Sequence, residues 1–375
     1  MKKRTGDPTE KKKFHKVRAP NKSVIPEYFY RESIDSRSKR AGMTRVLLGA
    51  LKSSSASLPE SFKISLLLVA IFTLPFFDKN PYHIDIMVTA GIFMLLASGL
   101  NVIVGFAGIL NLGYAAFYAM GAYTYALVNL HLGVPFWAGL WVSGFVTALF
   151  GILLALPAFR LSGDYLAIVT LGFGEIVRIT LNNLDRITGG PNGLLGIQHP
   201  ALHFSSYQYQ FGVRSEPYYF LVFSLVVIVV FFLKRLESSR LGRAWVAIRE
   251  DELAASCMGV DLGWAKLSAF GIGGFIAGIA GCVFAAKQGT VSPDSFDFVV
   301  SVMILAMVVL GGLGNIWGAL LGALMLSLLP EFLRGFDIYR MLFFGIAMIL
   351  IMLLRPQGIL GERRHKEEFH SQSSR

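Results

Sequence analysis

The sequence predicts an all-α, polytopic membrane protein with about ten transmembrane helices and cytoplasmic N- and C-termini. Three observations carry this reading. The 375 residues are 54% hydrophobic and 16% charged, with a mean hydropathy of +0.56, where soluble domains carry about 25% charged residues. Long apolar runs alternate with short polar stretches, the pattern of a chain that crosses a bilayer repeatedly. Lys and Arg also fall unevenly across the predicted boundaries, which fixes an orientation by the positive-inside rule.

Residues 1–60 come first, as a basic and disordered cytoplasmic tail. Fifteen Lys/Arg stand against six Asp/Glu there, most of the formal +11 of the whole chain. Few apolar residues are available to build a core, and the charge suits anionic lipid of the bilayer rather than nucleic acid. A secretory signal is not expected, since the apolar stretch starts only near Phe62 and no small-residue cleavage site follows. The transmembrane domain, 61–356, holds ten apolar segments at about 62–77, 84–104, 110–130, 136–157, 165–182, 217–233, 266–286, 296–313, 315–332 and 338–354. Gly and Asn make 110–130 a candidate for a broken or re-entrant span. With the N-terminus inside, 28 Lys/Arg fall in cytoplasmic segments, six outside, and Arg178 within a span. The tail 357–375 is then cytoplasmic. The loop 183–216 lies outside and carries the turn-forming cluster Gly189-Gly190-Pro191-Asn192-Gly193.

The inside loop 234–265 is organised around Ser239–Asp261. Its charges, Arg240, Arg243, Arg249, Glu250, Asp251, Glu252 and Asp261, cannot cross a bilayer at that density. No Gly or Pro interrupts Arg243–Met258, so one helix is expected there, stopped by Gly259. Ala244, Ala247, Ala254, Ala255 and Met258 share one side, with Asp251 among them. That side can receive another backbone closely, while Arg249, Glu250 and Glu252 point elsewhere. Such a helix suits docking on a partner protein; the plainer alternative is a charged connector between two spans.

Within the spans, Asn101 and Asn111 are amides at membrane depth, either hydrogen-bonded between helices or lining a polar path. Glu175 and Arg178, three residues apart, can pair on one helix face, as a structural pair or as a gate or substrate contact. Small residues at Gly271, Gly273, Gly274, Gly278 and Gly281, and at Gly311, Gly312, Gly314, Gly318 and Gly322, permit close helix approach. Gly105-x-x-Gly108 and Gly311-x-x-Gly314 echo one another six spans apart, as in a parallel repeat. No phosphate-binding G-x-x-x-x-G-K-[S/T] occurs, so the chain does not supply its own ATPase. The seven histidines lack metal-ligand spacing, and Cys257 and Cys282 offer no disulfide framework. No cofactor, metal or catalytic cluster is expected, which disfavours an intramembrane enzyme.

Several stretches resemble a known family. GLNVIVGFAGILNLGYAAFYAMGAYTYAL (Gly99–Leu127), SGDYLAIVTLGFGEIVR (Ser162–Arg178), ITGGPNGLLGI (Ile187–Ile197), GRAWVAIREDELAASCMGVD (Gly242–Asp261), VVLGGLGNIWGALLGA (Val308–Ala323) and LRPQGILG (Leu354–Gly361) are similar, in order, to ABC-importer permeases of the branched-chain amino-acid type. Pro330-Glu331 followed by Arg355-Pro356-Gln357-Gly358 resembles the M-type member of the paired permeases. The resemblance implies a bacterial inner-membrane, multi-pass permease for Leu, Ile and Val. It implies a second permease subunit of the same family, two cytoplasmic ATP-binding subunits and an extracytoplasmic substrate-binding protein as partners. It also makes the 239–261 stretch the ATPase-coupling segment, with Gly242, Arg243, Ala247, Arg249, Glu250, Asp251, Glu252, Ala254, Ala255 and Gly259 as coupling residues. The importer pattern Glu-Ala-Ala, three residues, Gly is met by Ala254, Ala255 and Gly259; Leu253 replaces its acid, and Glu252 lies one residue earlier. Asn101, Asn111, Glu175 and Arg178 are the path candidates. Urea or short amides are the alternative cargo, and an ion-coupled secondary transporter is the rival class.

Overall fold

The computed structural model describes residues 80–158, 163–204, 207–212 and 215–332, with isolated positions at 342, 345, 346, 349, 358 and 359. Apart from those positions, the basic tail, the predicted spans 62–77 and 338–354 and the C-terminal tail lie outside the described residues. In chain order the helices are α1 (Pro81–Leu100), α2 (Tyr114–Leu132), α3 (Phe136–Ala158), α4 (Asp164–Asn183), α5 (Ser215–Glu237), α6 (Arg240–Glu250), α7 (Glu252–Cys257), α8 (Leu262–Gln288), α9 (Phe298–Gly311) and α10 (Ile316–Phe332). A π-helix, Asn101–Phe106, continues α1. Eight of these helices coincide with eight predicted apolar segments. Six, counting α1 with its π-helical extension and α9 with the turn before it, are long and apolar enough to cross a membrane among the described residues. α10 is shorter, and α2 dilutes its apolar residues with Tyr114, Tyr118, Tyr123, Tyr125, Asn129 and His131.

The interruption expected inside 110–130 lies just before the helix instead. Residues 107–113 are irregular and α2 then runs unbroken for 19 residues. Gly108 has φ +70, a conformation that costs any other residue type. Asn111 Oδ1 accepts from the Gly113 amide (2.9 Å), and the Leu112 amide donates to Thr170 Oγ1 on α4 (3.1 Å). These side-chain acceptors satisfy two amides of the irregular backbone, which a lipid environment would otherwise penalise.

α8 is the axis of the bundle, with 83% of its most apolar window buried. Its small residues permit this, as the glycine stripe predicts. A Cβ on Gly278 would lie 2.5 Å from the Ser143 carbonyl oxygen of α3, and one on Gly273 would lie 2.7 Å from Ile103 Cδ1 of the π-helix. α8 therefore packs against α1, α2 and α3 at distances only small residues allow.

The helix ends fall into two groups. At one, Lys287 Nζ pairs with Asp85 (2.9 Å), Ser215 Oγ donates to Asp85 (2.8 Å) and Tyr82 OH donates to Glu331 (2.6 Å). This end also carries β1 (Leu194–Leu195), β2 (Ala201–Phe204) and β3 (Tyr207–Gln210), with β2 antiparallel to β3. β4 (Thr290–Val291) pairs antiparallel with β1, Leu194 opposite Val291. The predicted turn cluster is realised here as a 3-10 turn, Gly190–Asn192, between Gly189 (φ +74) and Gly193 (φ +69). At the other end, α6 packs under the π-helix and the α9–α10 turn. The sequence assigns the first group to the outside and the second to the inside.

Candidate functional site

The single helix expected over Arg243–Met258 is two helices. Ser239 starts α6, its Oγ accepting from the Gly242 amide (3.3 Å). Asp251 then leaves the helical region (φ -159, ψ 113) and recaps the chain, its Oδ1 accepting from Leu253 N (2.8 Å) and Ala254 N (3.0 Å). An aspartate at this position satisfies amide donors that would otherwise have no intrahelical acceptor, so good helix formers on both sides do not join. Gly259, at φ +83, ends the segment as expected.

The break re-aims the side chains. α6 turns Gly242, Trp245 and Ile248 into the protein. Trp245 is fully buried, stacks on Phe106 (ring centroids 6.5 Å, 10° between planes) and donates from Nε1 to the Ala265 carbonyl (2.8 Å). Arg249, expected to point away, reaches inward, and Nη1 donates to the Gly105 carbonyl (2.7 Å). Glu252, also expected to point away, pairs with Lys266 of α8 (2.8 Å). The predicted alanine side does not form one open stripe: Ala244 and Ala247 are half-buried, Ala255 is buried and Ala254 is exposed. Arg243, Glu250 and Asp251 are exposed. α7 instead presents Leu253 and Met258, 75% and 84% exposed, with Cys257 beside them.

Arg249 sits in a knot that sequence reasoning missed. The π-helix packs Asn101 against the α9–α10 turn, where Asn101 Oδ1 accepts from the Gly314 amide (3.0 Å). A Cβ on Gly108 would lie 2.9 Å from Arg249 Cγ, and one on Gly314 (φ +80) would lie 2.5 Å from Arg249 Nη1. The two echoing glycine motifs, 105–108 and 311–314, thus meet around one guanidinium. Close by, the Ile359 amide donates to the Leu310 carbonyl (2.9 Å). The echo was the only signal in the sequence that could have pointed here.

The path candidates divide into two kinds. Asn101 and Asn111 have no exposed surface, and their Oδ1 atoms hold backbone amides while each Nδ2 is buried without a partner among the described residues. Glu175 and Arg178 pair on α4, Nε and Nη2 both 3.0 Å from Glu175 Oε2, with side chains 31% and 33% exposed. Among the described residues no three His, Cys, Asp or Glu are grouped to hold a metal, and Cys282 is a buried free thiol.

The model of the family described as "Branched-chain amino acid transport system / permease component" matches residues 82–352. The chain is 43% identical over 340 residues to the high-affinity branched-chain amino acid transport system permease protein LivM of Salmonella typhimurium, covering 86% of this chain and 79% of that protein. It is likewise 43% identical over 334 residues to LivM of Escherichia coli K12, covering 84% and 78%. Against LivH of the same E. coli strain the identity is 25% over 284 residues, covering 72% and 91%. No solved structure matches the chain. With a family model matched over most of its length and two M-type relatives at this identity, the chain belongs to the permease components of branched-chain amino acid transport systems.

Proposed function

We propose that the chain is one membrane-spanning subunit of an ABC importer that moves Leu, Ile and Val inward, with ATP hydrolysed by separate subunits. The reading of the substrate rests on the names of the relatives. In this reading the protein spans the bacterial inner membrane about ten times with both termini inside. The basic segment 1–60 lies along the inner leaflet and 357–375 is a second cytoplasmic tail. Loop 183–216 is the landing surface for a substrate-binding protein, and loop 234–265 is the coupling loop under two ATP-binding subunits. A second permease of the same family completes the path.

One observation carries the coupling role: α6 is anchored inward while α7 is presented outward. Trp245 and Arg249 tie α6 to the π-helix and, through Gly314, to the α9–α10 turn. α7 leaves Leu253, Ala254, Cys257 and Met258 uncovered on the same short segment. An ATP-binding subunit that seats α7 in a cleft could then push on two spans at once. Apolar side chains exposed in water next to a membrane protein's charged loop gain most from being buried by a partner.

The test is capture of the ATP-binding subunit by purified permease. Leu253→Arg places an unpaired charge in the proposed interface and is expected to lower capture about tenfold or more, with permease yield unchanged. Ala255→Arg, whose side chain would enter the permease itself, is expected to lower permease yield instead. Undiminished capture by the Leu253 variant would remove α7 as the docking surface.

A further inference from the structure

α8 begins beside the coupling segment, and both short helices hold its first two turns. Trp245 of α6 donates from Nε1 to the Ala265 carbonyl (2.8 Å) and to Ser268 Oγ (3.2 Å), and that hydroxyl donates back to the Ala265 carbonyl (2.8 Å). Between them in sequence, Lys266 reaches out of α8 to Glu252, the first residue of α7. Its Nζ lies 2.8 Å from Glu252 Oε1 and 2.9 Å from Oε2, so both carboxylate oxygens share one ammonium.

The two members of this ion pair differ in their surroundings. The Lys266 side chain is 7% exposed and that of Glu252 is 44% exposed. A pair with both members in water is worth little, because each is solvated well on its own. A buried ammonium has no such alternative, and a charge left unpaired in a protein interior is strongly unfavourable. Among the described residues Glu252 is the one ionic partner of Lys266. The pair therefore adds a directional tether to the apolar contact of Ala255, the residue that α7 buries. Asp251, the acid just before, commits its carboxylate to amides of α7 itself. Of these two adjacent carboxylates, one shapes the helix and the other fastens it.

We infer that Glu252 is a positioning residue for transport: through Lys266 it fastens α7 to α8, so that movement of α7 reaches the axis of the bundle, and it is not itself a contact for the ATP-binding subunit. The coupling role rests on the function proposed above; the tether itself rests on the geometry. α8 packs against α1, α2 and α3 at distances that leave no slack, so a displacement of its first turns is passed on to three spans. Arg249 reaches the π-helix and the α9–α10 turn instead, which makes the two links complementary. A subunit seated on Leu253 also removes water from the adjoining Glu252 carboxylate. Opposite charges attract more strongly as water leaves them, so the tether tightens when the contact is made.

The test uses the complete importer with its binding protein in vesicles and reads leucine imported per ATP hydrolysed, a ratio that does not change when less complex is folded. Lys266→Met removes the ammonium and leaves Glu252 in water, so it strands no buried charge. It is expected to lower the ratio about tenfold, the loss of one charge-assisted hydrogen bond, with ATP still hydrolysed and with capture of the ATP-binding subunit by purified permease unchanged. Glu252→Gln is expected to lower the ratio similarly and, because it leaves the ammonium buried without a counter-charge, to lower permease yield as well. Combining the two substitutions should give about the tenfold loss of either alone and restore the yield, since both act on one contact. A loss near a hundredfold in the combined variant would mean two independent residues and overturn the tether. An unchanged ratio in Lys266→Met overturns it as well. So does loss of capture in Glu252→Gln but not in Lys266→Met, which would make Glu252 a direct contact of the ATP-binding subunit. If the unmodified importer moves leucine with ATP hydrolysis and Lys266→Met does so equally, the tether fails and the importer reading stands; if the unmodified complex hydrolyses ATP without importing leucine, both fail.

Discussion

α6 and α7 are neighbours in sequence, similar in helix propensity, and opposite in their relation to the rest of the protein. α6 buries Gly242, Trp245 and Ile248 and sends Arg249 inward, whereas α7 buries only Ala255 among its residues. The difference is made at one position. Asp251 ends the first helix and caps the second, which rotates the second away from the permease. A continuous helix would have carried one stripe along both halves, so that the face bound to the permease and the face offered to a partner were one surface. Broken, the segment separates a buried anchor from an exposed face. Charge and helix propensity alone do not reveal which half is which.

The comparison breaks first at Trp245. Trp245→Ala removes a fully buried ring and its stack on Phe106, and is expected to lower stability by about 3–5 kcal/mol. Thermal aggregation of the detergent-extracted permease reads this directly. A shift no larger than that of an exposed substitution, about 0.5 kcal/mol, would mean that α6 is not an anchor. A smaller effect is expected at the far side of the knot. Gly314→Ala combines a left-handed φ of +80 with a methyl group 2.5 Å from Arg249 Nη1, so a loss of about 1–3 kcal/mol is expected. The same assay checks it, and a neutral result would mean that Arg249 does not fill the space between the two turns.

Much of the fold was legible because the bilayer imposes a length on every apolar run. The segments from 84–104 to 315–332 became helices within a few residues of their predicted ends, and the glycines of α8 packed as small residues do. Three features escaped for physical reasons. The π-helix at Asn101–Phe106 lies in a run that is apolar but for Asn101 and buried throughout, so no periodicity marks its extra residue. The break at Asp251 costs little because a carboxylate caps as well as it solvates, and the flanking Arg243–Glu250 and Glu252–Met258 both favour helix. Arg249 was expected in water because loop charges usually are, and the structure instead offers it a backbone carbonyl. Glu252 stays exposed as expected, and from there pairs with the buried Lys266. Of the site residues, Glu175 and Arg178 were legible as a pair from their spacing, but that Glu175 lies near Phe296 and Asp297, more than a hundred residues away in the chain, was not.

The central claim is that movement of the coupling segment reaches the spans through Arg249. Arg249→Met removes the bond to the Gly105 carbonyl while leaving every exposed residue of α7 in place. The deciding measurement is leucine imported per ATP hydrolysed, in vesicles holding the complete importer and its binding protein. The account predicts that this variant keeps its ATP-binding subunits and hydrolyses ATP, but imports about tenfold less leucine per ATP than the unmodified importer, a loss on the scale of one charge-assisted hydrogen bond. An unchanged ratio of leucine to ATP would contradict it.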